Sequence, residues 1–323
     1  MIKEIDVSQL TAFRIGHAQD PVHATGCTAI LCEQGAWAGV DVRGGGPATR
    51  ELALLRPDTT VQQINCVMLS GGSAFGLAAG DGAMTFLEER GAGFDTGVGK
   101  VPLVCGASLF DLELVSFHHR PDKAMGYAAC ENAYLGTPPK EGNVGAGTGA
   151  TVGKFHNTAD MMKSGLGIYA VQVGKIKCAA IVAVNALGDV IDCETGKILA
   201  GLLTKDHTGF ADTRLSMYEE MERAWNLWQG NTTIGCLITN AKLNKDQCTK
   251  AASIAHNGYA QSIRPVHLSA DGDTIFVMAS GEVEAAPDVI YTLGAQVMAH
   301  AVNRAVLTAA PAYGLKAASD FLA

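Results

Sequence analysis

Short apolar runs, each bounded by glycine or by polar turn residues, recur along the chain and predict strands. They give two strands and a loop within residues 26–42, single strands at 65–69, 101–110, 168–172, 177–185 and 274–279, and a strand headed by Cys236. Stretches with an apolar face predict helices at 74–90, with Ser73 as N-cap, and at 123–135, 215–228, 245–258 and 287–308. Strands and helices interleave without a strict β-α-β order, so we favour a layered α/β sandwich over a doubly wound sheet.

Composition and charge narrow the class of protein. The chain has 323 residues, 48% of them hydrophobic and 17% charged, which is typical of a folded globular protein. A net charge of −8 without any Lys/Arg run argues against nucleic-acid binding. The sequence contains neither an uninterrupted window of 18 apolar residues nor a signal-peptide pattern, so we expect a cytoplasmic protein without membrane contact.

The nine cysteines are odd in number and form no CxxC pair, and most lie within apolar runs. This pattern predicts reduced core residues in a cytosolic protein. Neither the ligand spacing of a zinc site nor an HExxH motif is present. We therefore expect no metal.

Glycine-rich loops raise the alternative of a nucleotide site. Gly145, Gly147 and Ala150 fit the loose dinucleotide fingerprint, but a polar loop rather than a strand precedes them, and no suitable acidic residue follows about 20 residues later. Gly153-Lys154 resembles the end of a P-loop, but Phe155 replaces the required Ser or Thr. These mismatches argue against nucleotide binding, and we expect no cofactor.

The pair Gly235-Cys236 stands before an apolar run within residues 231–240. A small nucleophile directly after a glycine fits an enzyme that cuts its own backbone, because glycine leaves the preceding carbonyl uncrowded and tolerates strained backbone. The pattern alone equally fits a buried structural cysteine, since free cysteine is among the most buried residue types.

Six motifs in a fixed order add a family resemblance. They lie at residues 41–51, 69–77, 149–154, 184–190, 231–240 and 271–276. Together they resemble the P1 peptidase family, peptidase family S58, which contains the DmpA-type L-aminopeptidase/D-esterase, β-peptidyl aminopeptidases and nylon-oligomer hydrolases. The resemblance extends from about residue 16 to about residue 315 and implies a single domain, 1–323, with a four-layer αββα sandwich of the DmpA/ArgJ-like kind, similar to N-terminal-nucleophile hydrolases.

The resemblance also implies self-cleavage between Gly235 and Cys236, giving chains 1–235 and 236–323. Cys236 would then attack amides or esters and form an acyl-enzyme, with its freed α-amine as base. Family members usually carry Ser or Thr at this position, so the cysteine is a departure.

Further site residues follow from the same resemblance. Asn185 would donate to the oxyanion, and Lys154 would hold charge near the nucleophile. Asp271 and Asp273 would orient the nucleophile and its amine. Taken without the family, these residues equally fit a turn-closing asparagine, a solvated lysine and an Asp-Gly-Asp turn.

Three residues are expected to shape the pocket: Arg43, Ser70 and Phe110. Arg43 would bind a substrate carboxylate or brace its loop. Phe110 stands where several family members carry a tyrosine, so this chain lacks that hydroxyl.

The expected function is hydrolysis of small peptides, amides or esters. Two alternatives stay open: an acyltransferase of the ornithine acetyltransferase type, and an unprocessed, non-catalytic binding member. The family also implies a homo-oligomer, a tetramer in many members.

Overall fold

The structure is a computed structural model that describes residues 1–221 and 230–322. Its strands are β1 (Ile2–Glu4), β2 (Arg14–Asp20), β3 (Thr25–Val42), β4 (Thr49–Arg50), β5 (Gln63–Ser70), β6 (Phe94–Asp95), β7 (Lys100–Val101), β8 (Val104–Ser108), β9 (Thr151–Val152), β10 (Met162–Lys163), β11 (Leu166–Val173), β12 (Ile176–Asn185), β13 (Asp189–Ile191), β14 (Ile198–Ala200), β15 (Thr232–Ala241), β16 (Ile263–Arg264) and β17 (Thr274–Val283). Its α-helices are α1 (Ser73–Gly76), α2 (Ala79–Glu89), α3 (Lys123–Asn132), α4 (Thr213–Glu219), α5 (Lys245–Ser262) and α6 (Pro287–Leu307), and short 3₁₀ helices lie at Val7–Gln9, Leu52–Leu55, Gly145–Gly147 and Ala318–Asp320.

The long strand β3 joins two halves of one hydrogen-bonded sheet, whose order is β1-β11-β12-β15-β17-β3-β5-β8-β4 with β2 paired to β3. Residues 25–31 of β3 pair with β2, whereas residues 37–42 pair with β17. The register with β5 shifts between Leu31 and Ala36, where Gly35 adopts a φ of 86°. This irregularity bends the strand, so the expected two strands and a loop are one continuous strand that serves both halves.

The two halves of the sheet pack face to face. Apolar side chains of β3, β5 and β8 form one core with those of β11, β12, β15 and β17. Helices α5 and α6 cover the outer face of the second group, and α2 and α3 cover the outer face of the first. The order of layers is helix, sheet, sheet, helix, which is the expected αββα sandwich.

Several element boundaries differ from the sequence prediction. Ser73 is not an N-cap, because it has a φ of 52° inside the short helix α1, and α2 begins only at Ala79. Pro102, which cannot donate to a strand ladder, separates β7 from β8 in the stretch expected to be one strand. The helix expected at residues 215–228 is described only as α4, capped by the Asp212 side chain, and its later residues lie outside the described part of the chain.

The cysteines are free, and all except the partly exposed Cys193 are buried, in agreement with their interpretation as core residues. Among the described residues, none of the helices combines the length and the apolar character needed to cross a membrane.

Candidate active site

Four strand ends meet at one edge of the sheet. Strand β12 ends at Asn185, and β15, which runs antiparallel to it, begins at Thr232 directly opposite Asn185. Strand β17 runs parallel to β15 and begins at Thr274, opposite the last residue of β3. Because β15 and β17 start where β12 and β3 end, the polar residues at these four ends are brought together.

Lys154 follows β9 and is buried at this edge, with 1% of its surface exposed. Its Nζ donates to Asn185 Oδ1 at 2.7 Å and to the Gly230 carbonyl at 3.4 Å. Glu113 Oε1 lies 3.4 Å from the same Nζ. Burial lowers the pKa of Lys154, and the charge of Glu113 opposes that effect. Lys154 is thus a buried donor to the carbonyl of Gly230, the residue two positions before Thr232.

The Asn185 side chain is hydrogen-bonded at both ends of its amide. Its Nδ2 donates to the Phe110 carbonyl at 2.8 Å, and its Oδ1 accepts from the Thr151 backbone at 3.0 Å as well as from Lys154. These bonds fix the amide and aim its oxygen at the ammonium group. Asn185 therefore positions Lys154, and its expected role as an oxyanion donor remains a prediction.

Asp273 precedes β17 and is 2% exposed. Its Oδ1 accepts from the Thr233 backbone at 2.8 Å. Its Oδ2 lies 2.9 Å from His267 Nδ1 and accepts from the His267 backbone at 3.1 Å. Charge-assisted bonds of this kind hold a carboxylate firmly. Asp273 therefore anchors the first residues of strand β15 to the start of β17.

Asp271 lies beside the residue before β15, since Asn231 and Asp271 form a parallel bridge. Its Oδ2 accepts from the Leu268 backbone at 2.6 Å, whereas its buried Oδ1 has no hydrogen-bond partner within the described residues. Burial, helped by the nearby charge of Asp273, raises the pKa of Asp271 to about 7. A carboxyl group in this state can accept or release a proton near neutral pH.

Thr232 lines a cavity of about 450 Å³ at the same edge. The other lining residues are Gly45, Gly46, Ala48, Ser73, Ser108, Phe110, Gly230, Ser269 and Ala270. The Thr232 hydroxyl lies against the carbonyl oxygen of Asn231, and that oxygen also accepts from the Gly272 backbone at 2.8 Å. The peptide bond between Asn231 and Thr232 therefore has a hydroxyl and an N–H donor at its carbonyl.

The expected nucleophile, Cys236, does not lie with these residues. It is fully buried within β15, opposite Ile181 and Phe276, and its side chain belongs to the apolar core between the two sheet halves. Burial raises the pKa of its thiol, which opposes formation of the thiolate.

The position at which strand β15 begins explains why Cys236 lies away from the site. The two threonines Thr232 and Thr233 are β-branched and favour extended backbone, and they pair with the end of β12. The strand therefore begins at Thr232, and four residues of strand carry Cys236 roughly 13 Å from that end. Gly235, the expected cleavage point, lies in the same ladder opposite Val182.

The three expected pocket residues have different positions. Phe110 lines the cavity, and a side-chain carbon added at Gly230 would lie 2.3 Å from its ring. Ser70 is buried beneath the cavity and shares a 2.6 Å hydrogen bond with the cavity-lining Ser108. Arg43 does not line this cavity, because Asp41 and Ser253 hold its guanidinium on the side of α5 at 2.9 Å and 2.5 Å. This position fits the second of the two roles expected for Arg43, that of bracing its loop, which stays a prediction.

Sequence reasoning missed Thr232, Glu113 and His267. The signal for Thr232 was present, since a threonine is a usual nucleophile in the family that the motifs resemble. No local pattern marked Glu113, which meets Lys154 through a contact between distant parts of the chain. His267 lies only six residues before Asp273, and the conformation of the loop between them, rather than a motif, brings the two side chains together.

Comparison with known proteins decides the family. The sequence model of peptidase family S58 matches residues 2–319 of this chain. This chain belongs to peptidase family S58. The expected family is confirmed, and membership of a peptidase family makes the protein a hydrolase.

Named relatives support this assignment. The chain is 37% identical to an uncharacterised aminopeptidase of Mycobacterium leprae, over 86% of this chain and 79% of the relative. It is 31% identical to a 6-aminohexanoate-oligomer endohydrolase of a Kocuria species, over 84% of this chain and 73% of the relative.

Solved structures with low identity show the same fold. A β-aminopeptidase of a Burkholderia species has a TM-score of 0.68 at 17% identity and covers 97% of this chain and 90% of its own. The L-aminopeptidase D-Ala-esterase/amidase of Ochrobactrum anthropi, described as a new variant of the Ntn-hydrolase fold, has a TM-score of 0.68 at 16% identity, over 94% of this chain and 86% of its own.

Proposed function

We propose that this family S58 member is a self-processing amide hydrolase whose nucleophile is Thr232, and that the chain is cut between Asn231 and Thr232. The observation that carries the proposal is the position of Thr232, which lines the cavity and has its hydroxyl against the Asn231 carbonyl. Cys236, the earlier candidate, has neither property. The proposed products are chains 1–231 and 232–323 rather than 1–235 and 236–323.

Self-cleavage begins with attack of Thr232 Oγ1 on the Asn231 carbonyl carbon. The Gly272 N–H already donates to that carbonyl and stabilises the negative charge that develops on its oxygen. Asp271 takes the hydroxyl proton and returns it to the departing nitrogen, so the amide becomes an ester and Thr232 gains a free amine. Water then hydrolyses the ester, which leaves a carboxylate on Asn231 and restores the Thr232 hydroxyl.

In the proposed mature enzyme, the Thr232 hydroxyl acts as nucleophile a second time. The free α-amine of Thr232, with an ordinary pKa of about 8, takes the proton of its own hydroxyl as Oγ1 attacks a substrate carbonyl. The amine of the substrate leaves and an acyl-enzyme ester forms, which water hydrolyses. The unpartnered, buried Oδ1 of Asp271 is the acceptor that we assign to the ammonium form of Thr232. Lys154 supplies positive charge beside the backbone at Gly230, one residue before Asn231.

The lining of the cavity supports a small, uncharged acyl group as substrate. Within the described part of the chain its lining consists of glycine, alanine, serine, threonine and the Phe110 ring, without a charged side chain. Relatives are named for aminopeptidase and 6-aminohexanoate-oligomer endohydrolase activities. We propose small peptides and amides as the substrate class. By family resemblance we also propose a homotetramer, and the free cysteines favour a reducing, cytoplasmic setting.

The test of the function is hydrolysis by the purified protein of three substrate sets: L-amino acid p-nitroanilides, short β-peptides and 6-aminohexanoate oligomers. We expect turnover of at least one set by the wild type and none by Thr232→Ala. A processed wild-type protein that hydrolyses none of the three sets would overturn the proposed substrate class.

Gly272→Ala is expected to slow self-cleavage. An added side-chain carbon at this position would lie 2.6 Å from Thr232 Oγ1 and 3.0 Å from the Gly46 carbonyl, so the hydroxyl must rotate away from the Asn231 carbonyl. We expect a slowdown of at least about tenfold, since misplaced reacting groups cost rates of this order. Gel analysis of freshly translated protein over time measures the rate. The control is Gly99→Ala, where an added carbon meets no atom within 4 Å; equal rates for both variants would contradict the assignment.

The raised pKa of Asp271 predicts a pH dependence of stability. Since this carboxyl binds its proton more tightly in the folded chain than in the unfolded chain, it stabilises the fold at low pH, and that contribution is lost as pH rises through about 7. Asp271→Asn should therefore become more stable relative to its parent between about pH 4 and pH 8. Urea unfolding measures this difference in stability. Both proteins carry Thr232→Ala in addition, so that neither is cut. The control is Glu284→Gln, which changes an exposed carboxylate that pairs with Lys242. A stability difference for Asp271→Asn that does not depend on pH would contradict the assignment.

A further inference from the structure

A second cluster of chemically active side chains lies where the turn between β13 and β14 meets α6. Cys193 Sγ lies 3.7 Å from His300 Nδ1, and Glu194 Oε1 lies 3.4 Å from His300 Nε2. One ligand atom from each of these three residues can be chosen so that all lie within 4.8 Å of one another. His300 lies far in sequence from the adjacent residues Cys193 and Glu194, so no spacing motif could reveal the cluster.

The Asn303 side chain and the Tyr169 ring hold this cluster in place. The Asn303 side chain accepts from the Cys193 backbone at 2.9 Å and donates to the Ile191 carbonyl at 2.7 Å, so it pins the turn to α6. His300 lies one helical turn before Asn303 on α6, and its ring packs against Tyr169 with centroids 4.6 Å apart. Two of the three groups are therefore fixed before any ligand binds, which lowers the cost of binding.

The charges around the cluster favour a cation. Asp192 and Glu194 flank the cysteine, so two carboxylates lie beside its thiol. The same carboxylates make the environment attractive to a divalent ion, which would stabilise the thiolate directly. Among the cysteines that the structure describes, Cys193 alone is partly exposed.

We propose that Cys193, Glu194 and His300 bind a divalent transition metal ion, with zinc as the best chemical match. Thiolate, imidazole and carboxylate are the ligand types that zinc takes in proteins. For tetrahedral zinc with ordinary bond lengths, sulfur and nitrogen ligands stand roughly 3.6 Å apart, close to the 3.7 Å found here. The Glu194 side chain is 74% exposed, so it can rotate from Nε2 toward the Nδ1 side of the ring. Water would complete the coordination.

Calorimetric titration of the purified protein with zinc chloride tests this proposal. We expect one zinc ion per chain for the wild type, with affinity lowered at least about tenfold in Cys193→Ser and in His300→Gln. Glu194→Gln changes an exposed side chain and is a second test should His300→Gln fold poorly; it should also weaken binding. The control His118→Gln removes an exposed histidine outside the cluster and should leave binding unchanged. Absence of zinc binding by the wild type, or wild-type affinity in both Cys193→Ser and Glu194→Gln, would overturn the proposal.

Cobalt(II) provides a spectroscopic readout at the same site. Bound cobalt should show a thiolate charge-transfer absorption in the wild type that Cys193→Ser lacks and that added zinc displaces. Cobalt bound without this absorption would put the metal elsewhere and count against the proposal.

Discussion

Thr232→Ala is expected to leave the chain uncut and to lower amide hydrolysis by at least about 10³-fold, whereas Cys236→Ala is expected to retain both activities. The difference follows from position. Thr232 lines the cavity and its hydroxyl lies against the Asn231 carbonyl, while Cys236 faces the apolar core. Removal of the hydroxyl removes the only atom that we propose to attack a carbonyl. Gel analysis for processing and initial rates on the best substrate measure both effects.

Two further results accompany this comparison. Thr232→Ser keeps a hydroxyl at the same place and should still be cut, since serine is the other usual nucleophile of the family. Cys236→Ala should cost about 1–2 kcal/mol of stability through a small core cavity, visible in urea unfolding. Loss of processing in Cys236→Ala but not in Thr232→Ala would reverse the assignment of the nucleophile.

Lys154→Met is expected to slow self-cleavage by at least about tenfold, because it removes a buried positive charge that is hydrogen-bonded to the Gly230 carbonyl, one residue before the proposed scissile carbonyl. Its Nζ is 3.4 Å from the Gly230 carbonyl and is aimed by Asn185 at 2.7 Å. Methionine has a similar length and keeps the packing, so the change removes mainly the charge and its hydrogen bonds. The rate of cleavage after rapid synthesis at a fixed pH measures the effect.

A second buried lysine gives a matched control. Lys163 is also fully buried, but its Nζ donates to the backbone carbonyls of Gly147, Ala150 and Ser164 and not to Asn185. Lys163→Met should lower stability while folded protein is still cut. Glu113→Gln should slow cleavage less than Lys154→Met, because it alters only the partner of the ammonium group. Equal cleavage by Lys154→Met and the wild type would remove Lys154 from the site.

Most of the fold could be predicted because its signals are local. Apolar runs marked β5, β11 and β12, and the capped, patterned stretches marked α5 and α6. The continuity of β3 could not be predicted, since a glycine within an apolar stretch equally fits a turn, and only pairing with β5 and β17 decides for one bent strand.

The site shows the same division. The sequence brought Asn185, Lys154, Asp271 and Asp273 forward, and the structure gathers them at one edge of the sheet. The sequence favoured Cys236 over the Thr232 that we propose, because Gly235-Cys236 fits the expected dipeptide, whereas the start of β15 depends on pairing between Thr232 and Asn185. Burial, which separates the two candidates, is a property of the whole fold.

The intact mass of the purified protein under denaturing conditions tests the proposed nucleophile most directly. We predict two fragments, residues 1–231 and 232–323, the second with an N-terminal threonine. A division after Gly235, which would yield an N-terminal cysteine, or a chain that remains uncut over days would contradict Thr232 as a self-released nucleophile.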